Sequence, residues 1–258
     1  TFVTSAARLS LSIEEYTAEL LQLVQPDERT VALRLVEALG RVVAAATSSR
    51  VSIPTFINSA MDGYAVRFTD VEGAPVFMRV VGDVPAGGPA DPAAGAGECV
   101  RIMTGAPLPT FADTVVPVEH TDGGADHVEV RLAPARPGIH VRGVAEDIKV
   151  GELLAAAGDR LTPALLGALA AAGHTHVSVR PRPVVLVAAT GDELVADGSP
   201  LARGQIYESN SVVLAAALAR DGAQVLTRSP LRDRAEDLVE WLDRSAAAAD
   251  LVIVAGGV

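Results

Sequence analysis

Apolar residues recur at spacings of three and four through Ile13, Tyr16, Leu20 and Leu23, the period of one face of an α-helix. Ser12 and Glu15 stand in capping-box spacing at its start, and Pro26-Asp27 ends it. A second short helix is expected over 35–39, stopped by Gly40, with an extended stretch over 41–46. From 51 to 142 the pattern changes to strand-length segments at 76–81, 98–103, 114–118 and 128–132. Pro85-Ala86-Gly87-Gly88, Pro107-Leu108-Pro109 and Asp122-Gly123-Gly124 separate them, which predicts a small, mostly antiparallel β domain. Thr162 and Pro163 then open an Ala- and Leu-rich helix to about 172, closed by Gly173.

The last third has a different rhythm. A continuous apolar run over 183–188 suits a strand buried on both faces. A helix over 211–220 closed by Gly222, a strand over 223–227, a helix over 235–246 and a strand over 251–255 follow it. That order, βαβαβ, predicts a parallel α/β sheet. The expected fold class is therefore α/β and β multidomain: a helical and strand linker domain over 1–50 and 143–181, the β-rich domain over 51–142, and the α/β domain over 182–258.

Composition narrows the partners. With 49% hydrophobic and 21% charged residues among 258, the chain can bury a sizeable core. Its formal net charge of −11 speaks against broad binding to nucleic acid or to an anionic membrane surface. Cys99 is the single cysteine, so no internal disulfide forms. No apolar run approaches the roughly 20 residues of a membrane span, and no secretion signal precedes the first helix, so a cytoplasmic protein is expected.

Candidate chemistry gathers at a few places. In Asn58-Ser59-Ala60-Met61-Asp62-Gly63-Tyr64-Ala65, Asn58 and Ser59 can bond their own backbone, Gly63 can take positive φ, and Asp62 lies between them. The plain alternative is an Asx-type turn between two strands. Arg101-Ile102-Met103-Thr104-Gly105-Ala106-Pro107 puts a hydroxyl, Thr104, at a strand end, which an ordinary strand exit would also explain. The adjacent acids Glu146 and Asp147, flanked by Arg142 and Lys149, read most simply as a solvated ion-pair cluster. His174 and His176 fall on one face of a strand by spacing, without a third ligand at a zinc-like interval.

Ligands on parallel sheets bind beyond the carboxyl ends of the strands. The loops there are Thr190-Gly191-Asp192-Glu193, Ser229-Pro230-Leu231-Arg232-Asp233 and Gly256-Gly257-Val258. Backbone N–H groups at Gly191, Gly256 and Gly257 can cradle phosphate. The carboxylates Asp192, Glu193 and Asp233 beside phosphates imply a bridging Mg²⁺. Asp233 also has an ordinary role as a helix N-cap. Neither a dinucleotide fingerprint nor a P-loop occurs.

These motifs, with Gly204-Gln205-Ile206-Tyr207-Glu208-Ser209-Asn210-Ser211 and Asp250 to Val258, resemble in order and spacing the molybdopterin molybdenumtransferase family, MoeA and the E domain of gephyrin. The match covers nearly the whole chain. Departures are Phe111 where the family usually has Gly, Gly143 to Ala145 in place of further arginines, Ala189 for Ser and Arg234 for Asp. Family members continue beyond the Gly-Gly-Val, so the resemblance places Val258 inside the molybdopterin-binding domain.

The resemblance implies Mg²⁺-dependent cleavage of adenylylated molybdopterin with insertion of molybdate, giving molybdenum cofactor and AMP. It implies Asp62 and Thr104 as active-site groups, and Glu193 and Asp233 as Mg²⁺ or water-positioning carboxylates. It further implies pterin, phosphate or nucleotide contacts from Arg142, Asp147, Thr190, Gly191, Asp192, Asn210, Ser211, Gly256 and Gly257. A homodimer is implied, with the Asp62 domain of one subunit facing the α/β domain of the other, and a molybdopterin adenylyltransferase as a further partner. Two other readings stay open: a pterin-binding or scaffolding homologue without turnover, and a molybdopterin adenylyltransferase-like protein. The latter proteins lack the 58–65 signature and the β domain.

Overall fold

The computed structural model describes residues 11–24, 27–228 and 230–256. The chain forms two compact units, one from the described parts of 1–45, 157–162 and 176–258, the other from 46–156 and 163–175. In chain order its elements are α1 (Ile13–Leu23), β1 (Val31–Arg34), β2 (Thr47–Ser48), β3 (Asn58–Ser59), β4 (Gly63–Val66), β5 (Val76–Val84), β6 (Glu98–Ile102), β7 (Thr114–Pro117) and β8 (His127–Val130). Then come β9 (Val141–Arg142), β10 (Leu153–Ala155), α2 (Pro163–Ala171), β11 (His176–Val179), β12 (Val184–Ala189), β13 (Leu194–Val195), β14 (Ile206–Tyr207), α3 (Asn210–Asp221), β15 (Gln224–Thr227), α4 (Ala235–Ser245) and β16 (Leu251–Ala255).

The β-rich unit is built on a five-stranded sheet of order β7-β4-β6-β5-β8, antiparallel except for the β5–β6 pair. Alternation along each strand sends side chains to opposite faces, and both faces are packed. Tyr64, Val66, Cys99, Val116 and Val128 share one core, while Ala65, Val100, Ile102 and Val115 share the other. Burial pushes the Cys99 thiol up to about 12, so it is a packing residue and not a nucleophile. Phe111 packs against the second core, and the Arg67 guanidinium lies 5.2 Å from its ring centroid, a cation–π contact that a glycine at this position could not make.

Gly63 overturns its expected role. It lies inside β4, opposite Ile102 and Pro117, and is not among the glycines with positive φ. A Cβ there would stand 2.0 Å from the Val116 carbonyl oxygen. The position needs glycine because two backbones meet there, not because the chain turns left-handed.

In the other unit β12 is the centre of a parallel sheet of order β15-β12-β16. The βαβαβ order is as expected; β12 has strand neighbours on both edges, and Val185 to Ala189 are buried where helices cover its side chains. Leu186, Ala188, Leu231 and Trp241 form its core, with Leu238 and Leu242 of α4 against it. In the same unit β1 and β11 form a separate antiparallel pair, with Val43 bridged to Val179 and Val42 to Arg160.

Three expectations change. Leu35–Glu37 is a single 3-10 turn, not a helix, ended early as Gly40 takes φ 72. α1 has the expected capping box, yet among the described residues none of its side chains is buried, and Ile13 is 82% exposed. His174 precedes β11 and its Nε2 lies 2.8 Å from the Ser48 carbonyl oxygen, so it does not share a strand face with His176. Pro26 lies outside the described residues.

Candidate active site

In the β-rich unit the 58–65 segment and the 101–107 segment are bound to each other through their backbones. Ser59 N–H donates to the Ala106 carbonyl at 3.0 Å, and Gly105 N–H to the Ser59 carbonyl at 2.8 Å. The Ser59 hydroxyl donates to the Met61 carbonyl and accepts its own return bond from Met61 N–H, at 2.6 and 3.2 Å. This local turn orients Asp62 toward the end of β6. There the Thr104 amide and hydroxyl both donate to Asp62 Oδ1, at 2.6 and 2.8 Å.

The Thr104 amide, then its hydroxyl, hold the Asp62 carboxyl below its ordinary value of 3.8; the nearby Arg101 charge adds to this against a small desolvation effect. Asp62 is thus an anion at neutral pH, an acceptor and not an acid. Its contribution to stability is present above the unfolded value and is lost as pH falls through the lowered folded one. Thr104→Val removes the hydroxyl and leaves the amide. The Asp62 titration midpoint, followed by NMR of its carboxyl carbon, should then move part of the way back toward 3.8; an unmoved midpoint would show that the hydroxyl contributes nothing.

Arg101 was not singled out by sequence. It pairs with Tyr64 across β4–β6 and borders a cleft of about 310 Å³ with Asp83 and Gly82. A cation at an outward strand position beside a turn carboxylate is the signal that was available. In the same unit Arg142, on β9, pairs with Asn58 of β3. The Asp147 N–H bonds the Ile53 carbonyl at 2.9 Å. Neither Arg142 nor Asp147 makes an ion pair among the described residues, and Glu146 turns back to the Gly143 N–H at 2.7 Å. The expected ion-pair cluster does not form; both side chains are exposed and open to a ligand.

The α/β unit brings its loops together at the carboxyl ends of the strands. Thr190, 8% exposed, bridges Leu231 in parallel register and donates its N–H to the Ala255 carbonyl at 2.9 Å. Gly191 N–H donates to the Leu231 carbonyl at 3.1 Å, so it is taken up between the loops and, contrary to expectation, is not open to a phosphate. Gly256, at φ 125, brings its loop so close that a Cβ would lie 2.5 Å from the Thr190 carbonyl oxygen and 2.6 Å from its hydroxyl. At Gly191 the same construction meets the Glu193 carboxylate at 2.5 Å, so Glu193 is folded back over the loop backbone. Asp192 Oδ1 accepts the Asp233 N–H at 3.4 Å.

α4 begins at Ala235, which leaves Asp233 outside the helix. Among the described residues its carboxylate caps no helical N–H, contrary to the N-cap reading. Asn210 is the exposed first residue of α3, a helix N-terminus favourable to anions. Ser211 is turned inward instead: its N–H donates to Glu208 Oε1 at 2.8 Å, and its hydroxyl bonds Glu208 Oε2. Glu208 therefore serves as the acceptor at the start of α3, a role that its place three residues before Ser211 foreshadows. Gly257 and Ser229 lie outside the described residues.

Carboxylates carried by two touching loops, beside glycine-lined backbone, suit a cation that keeps most of its waters and shares a phosphate ligand. Among the described residues no group of three or more His, Cys, Asp or Glu forms an all-protein cage.

Residues 11–173 match the family model for the MoeA N-terminal region (domain I and II), and residues 186–258 that for a probable molybdopterin binding domain. Molybdopterin molybdenumtransferase 2 of Mycobacterium tuberculosis is 43% identical over 254 residues, 96% of this chain and 62% of its own length. A molybdopterin molybdenumtransferase of Nostoc is 37% identical, over 93% of this chain and 56% of its own. The solved molybdopterin biosynthesis moeA protein of Pyrococcus horikoshii OT3 superposes with a TM-score of 0.83 at 30% identity, over 95% of this chain and 66% of that one. In order along the chain, then, a MoeA N-terminal region is followed by a probable molybdopterin binding domain. The chain belongs to the MoeA family. It spans about three fifths of the length of the curated relatives it matches.

Proposed function

We propose that this chain carries the greater part of a molybdopterin molybdenumtransferase, acting on adenylylated molybdopterin and molybdate to give molybdenum cofactor and AMP. The observation that carries the reading is the edge where the loop of Asp192 and Glu193 touches that of Asp233, through the Asp192 carboxylate and the Asp233 N–H, beside Thr190, Gly191 and Gly256. Such an edge suits a phosphoanhydride: the bare backbone at Gly256 lets oxygens approach closely, and Asn210, exposed at the start of α3, stands where a nucleotide would lie. Glu193 and Asp233 would hold Mg²⁺, which supplies charge neutralisation at the phosphates when bound. Glu193, folded over Gly191, orients a water at the same place. In the β-rich unit Asp62, fixed by Thr104 and ionised, accepts hydrogen bonds from the substrate, with Arg142 and Asp147 as further pterin contacts.

The test is AMP formation from adenylylated molybdopterin by the protein extended to its relatives' length. Release dependent on both molybdate and Mg²⁺ is expected. Tight pterin binding without release would favour the scaffolding reading, and ATP-dependent formation of the adenylylated pterin would favour an adenylyltransferase.

We further propose a cytoplasmic homodimer with the molybdopterin adenylyltransferase as a transient partner. Among the described residues no helix is long and apolar enough to cross a membrane. Asp62 and Glu193 belong to different units, and the family resemblance supports sites that draw Asp62 from one copy and Glu193 from the other. Mixing an inactive Asp62→Ala form with an inactive Glu193→Ala form, under conditions where subunits exchange, then restores part of the activity. A mixture that stays inactive despite demonstrated exchange contradicts the composite site.

A further inference from the structure

At the edge of the parallel sheet opposite the acidic loops, where β12 and β15 begin, lies a cleft of about 80 Å³. Arg41, Arg160, Arg180 and Arg182 line it, with Asp221 as the one carboxylate. In a chain of net charge −11 this concentration of cations runs against the general trend. Their hydrogen bonds do not neutralise them. Arg41 Nη2 donates to the Arg180 carbonyl at 2.7 Å, Arg160 Nη1 to the Gly40 carbonyl at 3.2 Å and Arg180 Nη1 to the Arg29 carbonyl at 3.3 Å. The Asp221 carboxylate is taken by Arg220, at 3.0 and 3.4 Å. Arg182 makes no hydrogen bond or ion pair among the described residues.

We infer that this cleft is a second anion site of the α/β unit, taking one tetrahedral oxyanion of the phosphate, sulfate or molybdate class. Neutral carbonyls hold three of the guanidinium groups in place; the carboxylates near them, Asp221 for Arg160 and Asp27 for Arg180, are ion-paired to Arg220 and Arg29 instead. Planar N–H forks match the edges of such an oxyanion. The cleft has room for a small oxyanion against the guanidinium groups. Crowding supports the inference: burial, and then the Arg182 charge, lower the Arg41 pKa below its ordinary value, a conflict that a bound anion relieves. A purely structural role would explain Arg41 and Arg160, which tie Gly40 and Arg180 to the unit, but not Arg182. The site stands at the amino ends of the strands, so it does not depend on the reading of the acidic edge.

Calorimetric titration of this chain with inorganic phosphate at low ionic strength tests it, with sulfate and molybdate as parallel titrations. Saturable binding is expected and should weaken at least tenfold in Arg182→Gln, whose side chain is exposed and unbonded and whose removal leaves the fold intact. Arg41→Gln with Arg182→Gln should abolish it. Arg136→Gln, the same charge change at an exposed position in the other unit, should leave it unchanged. Binding that prefers molybdate identifies the substrate oxyanion as the ligand, and binding that prefers phosphate or sulfate identifies the common cellular anions. No saturable binding, or equal weakening in Arg182→Gln and Arg136→Gln, overturns the inference.

Discussion

Replacing Glu193 with Gln and Asp233 with Asn together abolishes Mg²⁺-dependent release of AMP, by at least about a thousandfold. Both changes keep the shape and remove the charge. Glu193 rests over Gly191 and Asp233 meets Asp192 through its backbone N–H, so neither carboxylate holds the fold by its charge. Both are exposed, and stability should stay within about 0.5 kcal/mol of the parent. The remaining Asp192 is one carboxylate, too few to hold a divalent cation against the repulsion of phosphates without its neighbours. Pterin binding, measured by fluorescence quenching or calorimetry without Mg²⁺, is expected to persist or improve as two negative charges leave the site. Unchanged AMP release would show that these carboxylates do not hold the metal, whereas loss of pterin binding together with turnover would mean the loop had collapsed.

Gly63→Ala is expected to destabilise the β-rich unit by about 3 kcal/mol or more, beyond the usual range for an overpacked side chain. The new Cβ would meet a carbonyl oxygen 2.0 Å away and Pro117 Cα at 3.0 Å. Nothing at that contact is the end of a flexible side chain. β4 is hydrogen-bonded on one side to β6 and on the other to β7, so separating the strands to ordinary contact breaks ladder bonds on at least one side. Against a total stability of about 5–15 kcal/mol this is a large fraction. For a chain of this size it lowers the melting midpoint by roughly 6–12 °C. The displacement also reaches Asp62, whose carbonyl accepts the Val118 N–H at 3.0 Å, so the Asp62–Thr104 geometry should loosen with it. Thermal unfolding with a probe in the β-rich unit decides the matter. A midpoint unchanged within 2 °C would mean that the strand pair relaxes at little cost.

Much of the α/β unit was legible before any coordinates. A six-residue apolar run followed by two helices alternating with strands leaves few arrangements other than a parallel sheet, because a strand so uniformly apolar must be covered on both faces. The capping box at Ser12 and Glu15 was equally plain, being a contact between residues three apart. The likeness to the family rested on motifs spread along the chain, and the family models matched over the same segments. The reading failed where a local pattern had two physical causes. Gly63 was taken for a turn residue because glycine after Asn, Ser and Asp usually is one; its cause is a backbone fifty residues away. Asp233 looked like a cap by spacing, yet α4 starts one residue too late for it. Arg142, Glu146, Asp147 and Lys149 looked like an ion-pair cluster, yet Glu146 is spent on the Gly143 amide.

What the sequence by itself determined, then, is everything carried by neighbours along the chain: helix starts and stops, the strand-length segments between Gly- and Pro-rich turns, and the acidic or glycine-rich character of the loops at 190–193, 230–233 and 256–257. Only the tertiary structure decided which of those groups meet. It set Thr104 against Asp62 across 42 residues, Asp192 against Asp233 across 41, and four arginines from three segments around one cleft. Such contacts join residues far apart in the chain through the register of strands and the packing of loops. A single substitution such as Gly63→Ala can alter that register while leaving every local pattern in the sequence intact.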